Sequence, residues 1–330
     1  MRRIENFTEF VKHIALIAFW LIVIIPILVA PILLLAVEMK WIPLPVSPYV
    51  FIMDPVAAIE FQMRIFTSDF GKIALFPGFT YAALFAAFLG LWERKLLAKL
   101  QLRVGPLYAG RVEGILQPLA DILKLLFKEL ITPTKSDKLL FLAAPLITVA
   151  IASATISVIP ASEFWVVARS DVGLLVVFAA IGFFPITALM AAWGSNSKYP
   201  FLGGLRALHQ LVAYEIPMIV AALGVVILAG SLDLINIVKA QAAIPFIFLL
   251  PLGAITFFWC SLAELERVPF DLPEAEPELV AGWLTEYTGM NFGLILGIAV
   301  YVKFYALAAI FTTLFLGGWM GPSPIPPEVW

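Results

Sequence analysis

Apolar residues in this chain do not alternate with polar ones; they run on. Segments 14–37, 73–92, 139–160, 172–193, 207–230, 243–263 and 292–317 are almost unbroken Leu, Ile, Val, Ala and Phe. Each has roughly the 20 residues that a helix needs to cross the hydrocarbon of a bilayer. Only helices or closed barrels satisfy the backbone there, and runs that never alternate argue against a barrel. The pattern predicts an all-α integral membrane protein, a bundle of about 7–8 transmembrane helices. Polar residues are gathered into blocks between the spans. The blocks at 93–138 and 264–291 are long and rich in charge, Gly and Pro, while those after 160 and 231 are short. One elaborate face suggests a docking surface or a vestibule. No internal repeat is evident, which weighs against an inverted-repeat transporter.

The first apolar segment follows MRRIENFTEFVKH and resembles a signal peptide only superficially. It is too long for that, contains Pro26 and Pro31, and lacks a small-residue cleavage site. Residues 1–72 are therefore expected to form an N-terminal extension, with one transmembrane helix and an outer interfacial segment at 54–72. Residues 73–330 are expected to form the main membrane domain.

Composition narrows the function classes. The chain is 62% hydrophobic and 13% charged, with a mean hydropathy of +1.00, which excludes a soluble globular enzyme and a disordered tail. A net charge of −2 gives no basic footprint for nucleic acid. Of the 21 Lys and Arg, 15 fall in 1–13, 93–138, 194–206 and 264–291. The opposite loops hold 5, and Lys303 lies inside a span. By the positive-inside rule the first set faces the cytoplasm, making this a multi-pass protein of the cell membrane with its charged loops cytoplasmic. One cysteine, Cys260, and two histidines, His13 and His209, cannot build an iron–sulfur, zinc or haem site. No cofactor is expected in this chain; any redox centre belongs to other subunits.

Three stretches carry candidate chemistry. ERKLLAKLQLRVGP at 93–106 leaves a span into Glu93, Arg94, Lys95, Lys99 and Arg103. Charge alone favours a simple positive anchor with snorkelling bases. The amphipathic run at 110–133, with Asp121, Lys124, Lys128 and Glu129, is too interrupted to span. It is expected to lie at the cytoplasmic interface or to wall a cavity.

The second stretch, 193–217, reads as a polar loop returning through Gly203, Gly204 and Arg206 into a span. Glu215 lies nine residues beyond Arg206, about 13 Å of helix rise. A carboxylate at that depth costs about 2.5–3.5 kcal/mol or more when ionised. It must face the bundle interior, hold a proton, or have a partner. A structural ion pair is the plain alternative to a proton or ion path. The third stretch, AELERVPFDLPEAEPELVAGWLTEY at 263–287, holds Glu264, Glu266, Asp271, Glu274, Glu276, Glu278 and Glu286, with Arg267 as the only base. Pro269, Pro273 and Pro277 forbid one regular helix through it. If these acids line a partly dry cavity they cannot all ionise together, and their protons come off in coupled steps.

At these residues the sequence resembles a known family: the complex I membrane subunit, often called subunit 1, that joins the redox arm to the ion-pumping arm. Subunits of membrane-bound hydrogenases and archaeal complex I-like enzymes belong with it. The matching stretches are ERKLLAKLQLRVGP, GILQPLADILKLLFKE, SNSKYPFLGGLRA with YEIP, and the 263–287 loop. The resemblance implies proton-relay or coupling roles for Glu215, Glu264, Asp271, Glu274, Glu276, Glu278, Glu286, Asp121 and Lys124. It implies cavity-mouth or docking roles for Glu93, Arg94, Arg103, Arg206 and Arg267, and no bond-making catalytic residue or metal site.

The sequence departs from the quinone-using pattern at 297–305. Ala299 takes the place of a family glutamate and Lys303, a possible relay member, appears nearby. Many members also continue with two further helices beyond this chain's GGWMGPSPIPPEVW. The departure at 297–305, together with PFDLPEAEPELVAG in the acidic loop, tilts the resemblance toward the archaeal and hydrogenase-like branch. That branch implies a ferredoxin-dependent hydrogenase or sulfane reductase, with Fe–S subunits, a NiFe-hydrogenase-like large subunit, small membrane subunits and antiporter-like subunits as partners. A quinone-site subunit of a complex I-type NADH, ferredoxin or F420H2:quinone oxidoreductase is the alternative. A stand-alone secondary ion transporter is the alternative from another class, and a purely structural anchor is disfavoured because an anchor needs no file of acids.

Overall fold

The structure, a computed structural model, describes residues 78–110, 114–267 and 269–320, together with Lys72. The expected span at 14–37 and, apart from Lys72, the segment at 54–72 lie outside the described residues. Within them the protein is all helical. In chain order the helices are α1 (Phe79–Leu100), α2 (Gln117–Phe127), α3 (Lys138–Ser157), α4 (Gly173–Gly194), α5 (Lys198–Ala229), α6 (Leu234–Ala240), α7 (Pro251–Glu264) and α8 (Gly289–Phe315). Among the described residues α3, α4, α5 and α8 are long and apolar enough to cross a membrane.

The packing is that of a helix bundle in lipid. Interfaces are built on small residues, with Ala82, Ala86, Ala144, Ala152, Ala188, Ala191 and Ala222 all buried. Large apolar side chains such as Phe88, Ile227 and Leu252 face outward. Lipid is as apolar as leucine, so close backbone approach and not hydrophobic burial selects what lies between helices. α5 packs against α4 and α7, while α8 packs against α1 and α3.

Gly203 shows the closeness required. A Cβ there would come within 2.7 Å of the backbone of Gly282 and Trp283. Gly282 has φ +53°, and a Cβ on it would collide with the carbonyl of Pro273. These two glycines let the acidic loop lie directly on α5.

Helix boundaries differ from the apolar pattern in instructive ways. α1 does not stop where charge begins at Glu93. It continues to Leu100 because Arg, Lys, Leu and Ala all favour helix. It ends where Leu102 turns left-handed, φ +55°, and the Arg103 N–H closes on the Ala98 carbonyl. The polar stretch expected as a loop through Gly203 and Arg206 is helix from Lys198 onward, with Pro200 tolerated in the first turn. The span expected from 243 is interrupted: one helical turn, Phe246–Leu249, is separated from α7 at Leu250, φ −126° and ψ 59°, because the proline at 251 drives the residue before it out of helical geometry. The proline-rich loop has only short helical turns at Glu276–Leu279 and Gly282–Leu284. α8 includes a π-helical stretch, Gly293–Ala299, just before Lys303.

Candidate functional site

The last residue of α7, Glu264, meets Lys303 of α8 inside the bundle. The Lys303 ammonium donates to the Glu264 carbonyl and to Glu264 Oε2, both at 2.7 Å. Side-chain exposure is 6% for Lys303 and 0% for Glu264. The ammonium also sits 4.4 Å from the Phe184 ring centre, a favourable place for a desolvated cation.

Glu215, two residues before Pro217 on α5, presses against α4, where a Cβ on Gly182 would approach its Oε1 to 2.7 Å. The charges of Glu264 and Lys303 both reach it. Glu215 is the one charged group lining a cavity of about 570 Å³ between α4 and α5, otherwise walled by residues such as Leu174, Phe178 and Ile219.

Glu266 joins this group from the loop. It takes the left-handed cap position of α7, φ +52°, and the Arg267 N–H closes back on the Leu262 carbonyl. Glycine normally fills that position, so a glutamate there is strained. The residue is part-exposed, but its Oε1 is shut off from solvent and has no hydrogen-bond partner among the described residues. Burial, helped by the negative charge of Glu274, pushes its carboxyl up to about 8.

Two further contacts hold the loop over this cluster. The buried Gln210 amide donates to the carbonyls of Ala263, at 2.9 Å, and Phe270, at 2.7 Å, tying both shoulders of the turn to α5. Glu93 of α1 accepts from Arg267, at 2.7 Å, and from the Tyr301 hydroxyl, at 2.9 Å, while Arg267 lies over the Tyr301 ring. α1, the loop and α8 are thereby clasped together. Past the loop, Tyr287 stacks on Phe141 with ring centres 4.2 Å apart and donates to the Phe141 carbonyl. Burial raises its phenol above the usual range.

The remaining candidates sit farther out. Arg94 pairs with Asp121, which also accepts from Gln117, so α2 is moored to α1. Lys124 and Arg103 are exposed. Arg206 pairs with Glu278 at 2.5 Å, with side chains 42% and 61% exposed. Asp271 is exposed, while Glu274 and Glu286 are half-buried. The side chain of Glu276 lies outside the description. The loop acids thus do not form one dry file. The structure draws together Glu215, Glu264, Lys303 and Glu266, and leaves Asp271 and Glu278 at the surface.

Sequence reasoning counted Glu266 among the acids but assigned it no role, and it missed Gln210 and Tyr301. A left-handed cap that turns a carboxylate inward has no signature in residue order. Tyr301 carried one usable signal: it lies two residues from the lone lysine of its span. Among the described residues, no group of three or more His, Cys, Asp or Glu could hold a metal ion.

Comparison with known proteins adds an independent line. A family model described as NADH dehydrogenase matches residues 73–330. The sequence is 45% identical over 243 residues to an NADH-quinone oxidoreductase subunit of Bacillus cereus strain B4264, covering 73% of each protein. The same identity and coverage hold for the protein of that name from Bacillus thuringiensis strain Al Hakam.

Proposed function

The chain belongs to the NADH dehydrogenase family of complex I membrane subunits, and from that premise we propose that it is the corresponding membrane component of a complex I-type quinone oxidoreductase. In this role it anchors a peripheral arm carrying Fe–S clusters. It couples electron transfer there to H⁺ or Na⁺ translocation through small and antiporter-like membrane subunits. The complex resides in the cell membrane with the charged loops cytoplasmic, as the distribution of Lys and Arg favours.

The observation that carries the proposal is the buried Lys303–Glu264 ion pair, with two further carboxylates from other elements within reach of its charge. Glu215 comes from α5, Glu264 from α7 and Glu266 from the acidic loop, and the charge of Lys303 reaches them all. Charges so placed in a low dielectric cannot be independent of one another. A change of charge in the neighbouring redox arm alters which of them holds a proton. Of the loop acids, Glu274 adds its charge to that of Glu266, and the coupling role proposed for Asp271, Glu276, Glu278 and Glu286 lies at the margin of the cluster. Asp121, Lys124, Arg94, Arg103 and Arg206 shape the face on which the arm docks.

Glu215→Gln tests the proposal, because the change is nearly isosteric and removes only the titrating group. The assembled complex is expected to lose ion translocation in proteoliposomes. Unchanged pumping, or ion transport by this chain alone, overturns the reading.

A second reading rests on Ala299 and Lys303, which depart from the quinone-using pattern. It makes the complex a ferredoxin-dependent hydrogenase or sulfane reductase. Co-purification separates the two: a large subunit with four nickel-ligating cysteines selects hydrogenase.

A further inference from the structure

Gln210 sits where α5 passes under the acidic loop, and it is 8% exposed. Its Nε2 places both hydrogens across the turn that follows α7, on the carbonyls of Ala263 and Phe270. Its Oε1 is enclosed and has no partner among the described residues. A buried acceptor left unpaired is unfavourable, and a leucine at 210 would avoid it. Turning the amide over would set its oxygen against two carbonyl oxygens. The glutamine is therefore in place for what it donates.

The two carbonyls bracket the residues that build the site. Between them lie Glu264, which meets Lys303, Arg267, which meets Glu93, and Glu266. Glu266 holds φ +52°, a conformation that persists in a residue with a side chain only when its surroundings impose it. On one side the end of α7 imposes it. The Glu266 N–H donates to the Ala263 carbonyl at 3.1 Å, so that carbonyl accepts from Glu266 and from Gln210 at once. On the other side Phe270 is anchored. Its ring packs edge-on against Trp259 of α7 and against Tyr214, one turn beyond Gln210 on α5. The Gln210 amide joins the two sides.

Building on the coupling reading above, which gives the orientation of Glu266 its consequence, we infer that Gln210 is a positioning residue: its two donated hydrogen bonds hold the turn at 263–270 in the geometry that keeps the Glu266 carboxyl turned inward. Gln210 carries no charge and exchanges no proton; it acts through Glu266. Without the amide the left-handed residue relaxes toward ordinary backbone, and its carboxyl swings out to water.

Gln210→Met in the assembled complex tests this, because methionine fills nearly the same space and donates nothing. The charges that reach Glu266 come from Lys303 on α8, Glu264 on α7 and Glu274 in the loop, and the substitution leaves all three in place. In the parent the thermal midpoint is expected to fall as pH rises through about 8, following Glu266. Gln210→Met should lose that dependence as fully as Glu266→Gln does, and the double variant should be no flatter than either single one. A residue that merely braced the fold would lower the midpoint equally at every pH. That result overturns the inference, and so does a parent with no such dependence.

Gln210→Asn serves if Gln210→Met does not assemble. It keeps the amide but is one methylene shorter, so it cannot span both carbonyls. Part of the pH dependence should disappear, and a parental slope again overturns the inference. The slope is read without ion transport, so the two readings fail separately. Normal pumping in Glu215→Gln sinks the coupling reading and leaves the slope as it is. Loss of pumping there, alongside a parental slope in Gln210→Met, removes only the present inference.

Discussion

Two ion pairs in this protein have nearly the same length and opposite surroundings. Lys303–Glu264 closes at 2.7 Å with side chains 6% and 0% exposed. Arg206–Glu278 closes at 2.5 Å with side chains 42% and 61% exposed. Water screens the second pair and competes for both partners, so it contributes ~0–1 kcal/mol. The first pair has no such competition. Its charges cost several kcal/mol to desolvate and are tolerable only because each satisfies the other. What separates them is solvent, not geometry, and solvent decides which pair can respond to a distant charge.

Breaking the inner pair is the harshest test of that contrast. Glu264→Ala leaves an ammonium buried without its partner, and a loss of about 3–5 kcal/mol is expected. It should appear as a fall in assembled complex and in thermal midpoint, and a parental midpoint would show that water already reaches the site. Next comes the support beneath the cluster. Gly203→Ala pushes a methyl into the Gly282 backbone and is expected to cost about 1–3 kcal/mol. Faster proteolysis of the 264–291 loop is the measurement. A loop as resistant as in the parent would mean that α5 does not hold it down.

A subtler effect belongs to Glu266. Its carboxyl lies above the ordinary value of 4.5, at about 8 in the folded chain, so the folded state binds the extra proton between those limits. The stability this provides is present in full below about 4.5 and is lost as pH rises through about 8. Glu266→Gln should flatten the dependence of thermal midpoint on pH across that window, and an unaltered slope would assign it to another group. The smallest effect is expected at the surface. Glu278→Gln should shift stability by no more than ~0–1 kcal/mol and change the pH dependence of turnover only slightly. A large shift would mean that a partner subunit seals this pair from water.

Much of the architecture was legible in residue order. Unbroken apolar runs disclosed α3, α4, α5 and α8, because the bilayer imposes both a length and a composition on anything that crosses it. The ends of the helices were less legible. Charge at Glu93 looked like an exit and was not, since Arg, Lys and Leu extend a helix through the interface as readily as within it. Glycines at 203 and 204 looked like a turn, yet they sit inside α5 because what they provide is room for neighbouring backbone and side chains. For the site, the sequence named Glu215, Glu264 and Lys303 separately. It held no indication that residues 39 positions apart would pair.

The order of residues alone determined that this is a helical membrane protein with its acids concentrated in one loop. Spanning length and charge segregation are one-dimensional properties, dictated by the thickness and polarity of the lipid. Which acids are dry was decided only in three dimensions. Glu266 and Asp271 lie five residues apart, yet a left-handed turn and a close helix contact enclose a carboxyl oxygen of one and leave the other exposed. Desolvation depends on every neighbour within a few ångströms, and those neighbours come from α1, α5, α7 and α8 at once.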